Sequence, residues 1–488
     1  MNGSMKLFAA AVSIAVASIS SGALAANAEA LLKRASSAMG AGSLKTLRYA
    51  AEGTGYSFGQ AFAAGGAWPK ITVHSQVRTI NYDTASMREE FTLSRAEPKG
   101  GGGYPLSGQQ QNDWYLSGAY AWNVTGGNTQ PGPRFVAART HQLWITPFGA
   151  LKAAMKNKSD LQFVTKDGKS LAAVTFTEPG QFVATVYFND DYLVERVDSR
   201  APDPVLGIVQ TVTTYSDYRD YSGIRHPTRI RQSQGGHPVL DVTVKEVQAN
   251  AAADIKLPDA VRGATERVTT EKVADGVWFV AGGSHNSVAI EMKDHLVLVE
   301  APLSDGRTGP VLDAVKKLAP GKPIRYAINS HNHFDHSGGL RAAAAEGATI
   351  VTQSTNKAYF EKAFAVKNTI APDRLTKSGR KAKVLGVGDR HRMSDGTRTL
   401  EILRITDGGH SDTFQMVYLP REKLLIEADA YTPLAPNAKP PATPNANNVN
   451  LIENIERRKL VVERILPLHG RVVPLDELYR TASAKPKQ

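Results

Sequence analysis

The sequence predicts an α+β protein, with a β-rich, curved antiparallel sheet domain followed by a domain that mixes strands and helices. Short strand-like runs separated by polar turns fill residues 46–247. From about residue 265, apolar strand-like runs alternate with apolar residues at helical spacing. Residues 249–264 are mostly small and include a proline, which is typical of a domain linker. We therefore expect four segments: residues 1–25, 26–250, 251–264 and 265–488.

The composition is that of an ordinary globular protein. The 488 residues are 42% hydrophobic and 21% charged, enough to build two or three cored domains. The net charge of +12 is spread along the chain without a dense Lys/Arg block, so we expect a basic solvated surface and no nucleic-acid partner. The chain has no cysteine, which excludes disulfides and thiolate metal ligands.

The N-terminus has the pattern of a secretory signal. Lys6 supplies a positive charge, residues 7–19 form a short apolar run, and residues 23–25 read Ala-Leu-Ala, an A-x-A type cleavage site. No stretch approaches the roughly 18 to 20 apolar residues that a spanning helix needs. We expect cleavage of residues 1–25, a periplasmic or secreted product, and no stable membrane span after cleavage.

The first domain is predicted to be an antiparallel sheet with one helical interruption. Residues 174–177 and 182–188 are strand-like runs on either side of a Glu-Pro-Gly turn, and a helix is expected to begin at Pro147. Residues 99–103, a lysine and four glycines, predict a flexible surface loop. The histidines of this half are scattered and indicate no ligand constellation: His74, His141, His226 and His237.

The densest set of possible metal ligands lies in the second domain. Residues 324–328 form a strand-like run and residues 340–345 begin a helix, and residues 330–339 between them read Ser-His-Asn-His-Phe-Asp-His-Ser-Gly-Gly. A loop at the carboxyl end of a buried strand is where open α/β folds place chemistry. Imidazole and carboxylate are ligands that zinc accepts. The predicted metal ligands of this loop are His331, His333, Asp335 and His336.

Three further possible ligands lie on loops that directly follow apolar runs. His410 follows residues 400–405 on a glycine-flanked loop, where the backbone can approach a ligand closely. Asp429 and His469 come just after two later strand-like runs. Because all three occupy the same kind of position as the first loop, we predict that they belong to the same site.

The order of these residues resembles the H-x-H-x-D-H motif and later ligands of the metallo-β-lactamase-fold hydrolase superfamily, over about residues 265–475. The resemblance implies an αββα sandwich of two mixed sheets, with helices outside and the site at one edge. It also implies a division of ligands between two metal ions. The first ion is held by His331, His333 and His410, the second by Asp335, His336 and His469, and Asp429 bridges them.

The resemblance further implies two zinc ions with a water or hydroxide between them as the nucleophile; iron and manganese remain open. A divalent metal lowers the pKa of bound water towards neutrality and polarises a carbonyl or phosphoryl oxygen. Asp335 is the predicted catalytic residue, because it can bind metal and also orient the nucleophile or receive a proton. Glu300 and Asp412 are candidates to fix the imidazole tautomers.

Two positions leave alternatives open. Glu427 and Ala428 precede Asp429, where many dinuclear members have a glycine, so a capping role for Asp429 competes with the bridging role. His285 lies on an early turn of the domain and either touches substrate or is a hydrogen-bonded turn residue.

The function predicted is that of an exported metal-dependent hydrolase that cleaves an ester, lactone or amide bond of a small molecule with a metal-activated hydroxide. One alternative is a β-lactamase of the cysteine-free, all-His/Asp type. A second is an envelope carrier or ligand-binding protein, in which the β-rich domain binds a lipid-like molecule and the metal domain is accessory. The oligomeric state stays open.

Overall fold

The computed structural model describes residues 21–97, 99–101, 108–166 and 168–483. Most of the predicted secretory signal, residues 1–20, lies outside the described residues. The first described element is a helix over Ser21–Met39. It is followed by Gly40, whose φ of +67° is in the left-handed region that glycine tolerates at a helix end. None of the described helices is long and apolar enough to cross a membrane.

The first domain is built from strands with helices at its start and middle. In chain order its elements are α1 (Ser21–Met39), β1 (Thr46–Tyr56), β2 (Lys70–Asn81), β3 (Ser86–Arg95), β4 (Gln110–Ser117), β5 (Tyr120–Thr125), β6 (Asn128–Pro131), a 3-10 turn (Pro133–Phe135), α2 (Val136–Trp144), α3 (Pro147–Lys156), β7 (Ser159–Lys166), β8 (Lys169–Glu178), β9 (Phe182–Phe188), β10 (Val194–Asp203), β11 (Gly207–Tyr221), β12 (Ile224–Gln234) and β13 (His237–Ala249).

These thirteen strands form one antiparallel sheet, in the order β6-β5-β4-β3-β2-β1-β13-β12-β11-β10-β9-β8-β7. Its core lies between the strands and the three helices, with Leu32 of α1, Leu143 of α2 and Phe148 of α3 all buried. As predicted, Pro147 begins α3, and the Thr146 hydroxyl caps it by accepting from the Gly149 amide at 3.2 Å. The β-rich prediction for this domain is therefore confirmed.

The predicted linker contains a short helical turn, α4 (Asp259–Arg262), which lies beside β5 and β6. Its Val261 side chain is buried, so this part of residues 251–264 packs against the first domain.

The second domain alternates strands and helices. Its elements are β14 (Thr269–Ala274), β15 (Val277–Ala281), β16 (Ser287–Glu291), β17 (Leu296–Val299), α5 (Asp305–Leu318), β18 (Ile324–Ile328), α6 (Phe334–Ser337), α7 (Leu340–Ala345), β19 (Thr349–Gln353), a 3-10 turn (Ser354–Asn356), α8 (Lys357–Ala365), α9 (Arg374–Ser378), β20 (Lys383–Val387), β21 (Arg390–Ser394), β22 (Thr399–Arg404), β23 (Gln415–Leu419), β24 (Leu424–Glu427), α10 (Ala446–Arg457), β25 (Arg464–Pro467), β26 (Val473–Pro474) and α11 (Leu475–Thr481).

The strands form two mixed sheets, one of seven strands from β14 to β20 and one of six from β21 to β26, each in chain order. Alternate residues of β17 face opposite layers, as strand geometry requires. Val297 and Val299 join the core between the two sheets, while Leu296 and Leu298 pack with helices α5, α7 and α8. Helices α10 and α11 cover the second sheet. This layering is the predicted αββα sandwich.

The carboxyl ends of β17, β18, β22, β24 and β25 meet at one edge of the sandwich, because β17 is parallel to β18, β24 is parallel to β25, and β22 runs in the same direction as β24. The loops that carry the predicted ligands leave the sheets at this edge.

Candidate metal centre

The first ligand loop is a tight connection from β18 to α6 and α7. The His333 carbonyl accepts from the Ser337 amide at 2.9 Å and from the Ser337 hydroxyl at 2.7 Å, which closes the short helix α6. Gly339 begins the next helix where no side chain fits, since a Cβ there would lie 1.9 Å from Thr308 Oγ1. The glycines after the histidines therefore let the loop fold back against α5.

All seven predicted ligand residues converge, and one further histidine joins them. Their ligand atoms fall into two groups, within each of which all atoms lie within 4.8 Å of one another. The first group is His331, His333, His410 and Asp429, and the second is His285, Asp335, His336 and His469.

In the first group, three imidazole nitrogens face one another inside the protein. His331 Nε2 lies 2.9 Å from His333 Nδ1 and 3.2 Å from His410 Nε2. All three side chains are almost wholly buried.

In the second group, His336 Nε2 and His469 Nε2 lie 3.2 Å apart. Asp335 Oδ2 is 3.2 Å from His285 Nε2 and 3.8 Å from His336 Nε2. The Asp335 side chain is 34% exposed, which makes it the most accessible member of the cluster. His285 is thus a member of the cluster, in addition to being hydrogen-bonded to Ser284.

Asp429 lies between the two groups and turns one oxygen towards each. Its Oδ2 is 2.8 Å from His410 Nε2, and its Oδ1 is 2.9 Å from both His336 Nε2 and His469 Nε2. The Asp429 carboxylate therefore contacts imidazoles of both groups.

The outer nitrogens of two histidines are held by groups that only accept hydrogen bonds. His336 Nδ1 lies 3.0 Å from Glu300 Oε2, and His469 Nδ1 lies 2.9 Å from the Ser284 carbonyl oxygen. Both Nδ1 atoms must therefore donate, so that in the neutral form of each ring the Nε2 lone pair points into the cluster. Ser330 links Glu300 to the first group, since its hydroxyl donates to Glu300 Oε2 and lies 2.9 Å from His331 Nδ1.

One of the two residues expected to fix the imidazole tautomers does so. The prediction for Glu300 is confirmed by its contact with His336. The prediction for Asp412 is wrong, because its carboxylate pairs with Arg404 at 2.8 Å and its amide bonds a loop of the first domain. His410 Nδ1 has no hydrogen-bond partner among the described residues.

Burial and neighbouring charges set the protonation of the cluster. Burial, reinforced by adjacent imidazoles, holds the pKa of His331 well below its usual value and lowers the pKa of His333 to about 3. Burial also opposes ionisation of Asp429, but His336, His410 and His469 outweigh it and hold its pKa well below the usual range. For His336, burial is outweighed by Asp429 and Asp335, which raise its pKa.

The donor set fits divalent metal. The Nε2 lone pairs of His336 and His469 and the Asp429 Oδ1 atom are three acceptors that face one another within 3.2 Å. Converging acceptors repel unless a cation or a proton lies among them, and the negative field that raises the His336 pKa also attracts a cation. Imidazole nitrogen and carboxylate oxygen are ligands of zinc, and imidazole also suits iron.

Two supporting residues carry no signal in the sequence. Asn332, within the ligand loop, accepts from Ser411 Oγ at 2.7 Å and from Thr413 Oγ1 at 2.8 Å, and so ties the His331 and His410 loops together. Gln60 of the first domain donates to Asp335 Oδ1 at 2.8 Å. The two partners are 275 positions apart, and no spacing rule connects them.

Comparison with known proteins identifies the class of this domain. Residues 280–435 match the model of the Metallo-beta-lactamase superfamily, so the chain carries a domain of that superfamily. Among curated proteins, a stretch of 71 residues is 32% identical to the 2,4-dinitroanisole O-demethylase subunit alpha of Nocardioides sp. (strain JS1661). That stretch is 14% of this chain and 22% of the relative, so the match spans about a fifth of the relative's length.

Solved structures similar to this chain include two metallo-beta-lactamases. The protein from Pontibacter korlensis is 19% identical with a TM-score of 0.34, over 44% of this chain and 98% of that chain. The protein from Hirschia baltica is 24% identical with a TM-score of 0.33, over 45% of this chain and 99% of that chain.

Proposed function

We propose that the protein is a hydrolase whose His/Asp cluster binds two divalent ions, zinc by preference, and that it cleaves an ester, lactone or amide bond of a small molecule. The observation that carries the proposal is the position of Asp429, which offers one carboxylate oxygen to each group of imidazoles. A single-ion site would not require a carboxylate that faces two separate sets of ligands.

When bound, a divalent pair supplies Lewis acidity and lowers the pKa of coordinated water. The residues of the chain supply the rest. Burial keeps His331 and His333 in the neutral form that metal binding requires. Glu300 and the Ser284 carbonyl orient His336 and His469. Asp335, which is partly exposed, is placed to hold or return a proton at its carboxylate oxygens while a substrate bond is cleaved.

Two further observations favour a hydrolase over the alternatives. The superfamily match covers the ligand loops of His331 and His410 and also Asp429. In the first domain, the helices α1, α2 and α3 already occupy a face of the sheet with buried side chains, where a carrier would need space for a lipid-like ligand.

Export to the periplasm or beyond is part of the proposal and rests on the signal pattern of residues 1–25. Amino-terminal sequencing of the mature protein would test it, and an intact N-terminus would contradict it.

The proposed function is tested by counting metal ions and screening substrates together. We expect purified protein to hold about two zinc ions per chain and to hydrolyse at least one member of a panel of esters, lactones, amides, phosphoesters and sulfate esters. Nitrocefin belongs in the panel to test the β-lactamase alternative. A nitroaryl methyl ether also belongs there, because of the short match to the O-demethylase subunit.

The Asp429→Asn variant provides the structural control of this test. Asparagine keeps the size of the side chain but cannot offer a negative oxygen to each group. We expect bound metal to fall from about two ions towards one, and turnover to fall by at least about 100-fold. Two ions with unchanged turnover in this variant would contradict a bridging carboxylate. Native mass spectrometry that found a hydrophobic ligand, with no metal and no turnover, would favour the carrier alternative.

A further inference from the structure

One loop of the first domain, residues 57–66 between β1 and β2, contacts the ligand loops of the metal centre, and we name it the wall loop. Three of its carbonyl oxygens accept hydrogen bonds from the ligand loops. Gly59 accepts from the Phe334 amide at 3.0 Å, Ala61 from Asn332 Nδ2 at 2.8 Å, and Phe62 from the Asp412 amide at 2.8 Å. The wall loop therefore contacts both the His331 loop and the His410 loop.

Aromatic packing keeps the wall loop close to the ligand loop. The Phe334 ring packs edge-to-face against both Phe58 and Trp68, with centroid distances of 5.3 and 5.7 Å. Gly59 has a φ of +78°, and a Cβ there would lie 2.8 Å from Phe334 Cβ. Only glycine combines this backbone conformation with so close an approach.

A second segment of the first domain supports the other ligand loop. The Gly100 amide donates to the Gly409 carbonyl at 2.8 Å, directly beside His410. Gly100 and Gly101 are buried against Gln60 and Pro69, and Arg95 bonds both of their carbonyl oxygens. The prediction of a flexible surface loop over residues 99–103 is therefore wrong for these two glycines; residues 102 and 103 lie outside the described part of the chain.

Gln60 is the side chain by which the wall loop acts on the cluster. Its Nε2 donates to Asp335 Oδ1 at 2.8 Å, while Asp335 Oδ2 faces His285 and His336. One carboxylate oxygen is thus held from the first domain, and the other is left for the cluster. Without this bond, the contact of Oδ2 with His285 Nε2 at 3.2 Å would remain, but Oδ1 would lose its donor and the carboxylate would be less restrained about its last torsion.

We propose that the first domain is a structural part of the active site, and that Gln60 is a positioning residue that fixes which oxygen of Asp335 enters the metal cluster. The inference rests on the proposed function, because it gives Asp335 a role at a metal centre. It assigns the β-rich domain a direct part in the chemistry of the second domain, as a wall that orients ligands.

The test compares three variants by cobalt titration and by kinetics. Gln60→Met keeps the length of the side chain and removes the donor, and Gln60→Glu keeps the shape but replaces the donor with a negative oxygen. Gln142→Met is the matched control, because Gln142 is a partly buried glutamine of the same domain whose amide pairs with Gln232. The absorption spectrum of added Co²⁺ reports metal binding independently of turnover.

We expect Gln60→Met to weaken the second Co²⁺ binding step by about 10- to 100-fold and to lower kcat more than it raises KM. The first binding step and the unfolding midpoint should stay as in the wild type. Gln60→Glu should have the larger effect, since an ionised glutamate repels the Asp335 carboxylate. Gln142→Met should bind both ions normally.

Two results would overturn the inference, and they differ in what else they overturn. If the wild type binds two ions and hydrolyses substrate, but Gln60→Met and Gln60→Glu match it in both measurements, the positioning role is wrong and the proposed function stands. If the wild type binds no Co²⁺ or Zn²⁺, both the proposed function and this inference fail. Equal losses in Gln60→Met and Gln142→Met would show a general packing effect and would also overturn the positioning role.

Discussion

Buried histidines occur in both domains, but among the described residues only histidines of the second domain form clusters of possible metal ligands. In the first domain, the His141 ring bonds Ser199 Oγ at 2.8 Å, and the His226 ring bonds the Pro227 carbonyl at 2.8 Å. Burial lowers the pKa of each to about 4. In the second domain, six imidazoles converge with two carboxylates. There His336 is equally buried, yet the carboxylates outweigh burial and raise its pKa.

The difference shows that burial by itself makes a histidine a neutral packing group. In the second domain the imidazoles converge, and two carboxylates, those of Asp429 and Asp335, lie within 2.9 and 3.8 Å of the same nitrogen, His336 Nε2. The location in the fold matters as well. His226 lies inside strand β12 and His141 lies inside helix α2. Each is therefore surrounded by residues of a regular element and not, among the described residues, by other possible ligands. The ligands of the second domain lie on loops at strand ends, where several chain segments meet.

The largest effect should come from breaking the cluster. His331→Ala removes an imidazole that lies against both His333 and His410, so we expect loss of most bound metal and at least about a 1,000-fold loss of turnover. Metal analysis and steady-state kinetics measure both. The first domain should remain folded, which tryptophan fluorescence can follow because four of the five tryptophans precede residue 250.

The matching change in the first domain is His226→Gln. It should lower the unfolding midpoint and leave metal content and turnover unchanged, because His226 is a buried packing residue against Phe148 and Tyr49. His391→Ala, on strand β21 outside the cluster, serves as the neutral control in the second domain. Full metal content in His331→Ala, or metal loss in His226→Gln, would break the distinction between the two domains.

An intermediate effect should come from the groups that support the imidazoles. Glu300→Gln keeps an acceptor for His336 Nδ1 but removes the negative charge, and should weaken zinc binding by about 10-fold in chelator competition. Ser199→Ala removes the partner of His141 and should lower stability by about 1 kcal/mol with no change in zinc affinity. Unchanged zinc affinity in Glu300→Gln would mean that its charge does not tune the cluster.

The smallest effect on the metal centre should come from the histidines of the first domain, which change only the pH dependence of its stability. His141 and His226 take up a proton near pH 6.5 when unfolded but only near about 4 when folded. The unfolded state therefore binds more protons between these values, and stability is complete above pH 6.5 and falls as pH drops towards 4. Each histidine contributes up to about 1.4 kcal/mol per pH unit in this window. Urea unfolding followed by tryptophan fluorescence should show a shallower decline in His141→Gln; an identical decline would contradict the assignment.

Much of the site could be predicted from the sequence because its ligands are locally encoded. His331, His333, Asp335 and His336 lie on one short loop between a strand and a helix, and His410, Asp429 and His469 each follow an apolar run. The period of the apolar residues predicts the strands and helices, and the strand ends predict where the ligands lie. The prediction that Asp412 fixes an imidazole tautomer was wrong, because its carboxylate pairs with Arg404 at the end of β22. The sequence does not show which of these two partners the carboxylate takes.

The sequence by itself determined a domain of alternating strands and helices, the β-rich domain before it and the seven ligand candidates, because strand period, helix spacing and ligand spacing are properties of short segments. The αββα layering was implied by the family resemblance. Only the tertiary structure decided that His285 joins the cluster, that Asp429 faces both groups, and that Gln60 bonds Asp335. These contacts join residues from about 20 to 275 positions apart, and they depend on how loops and domains pack. The local sequence pattern does not encode this packing, because each segment could form the same strand, helix or loop if the domains and loops packed differently.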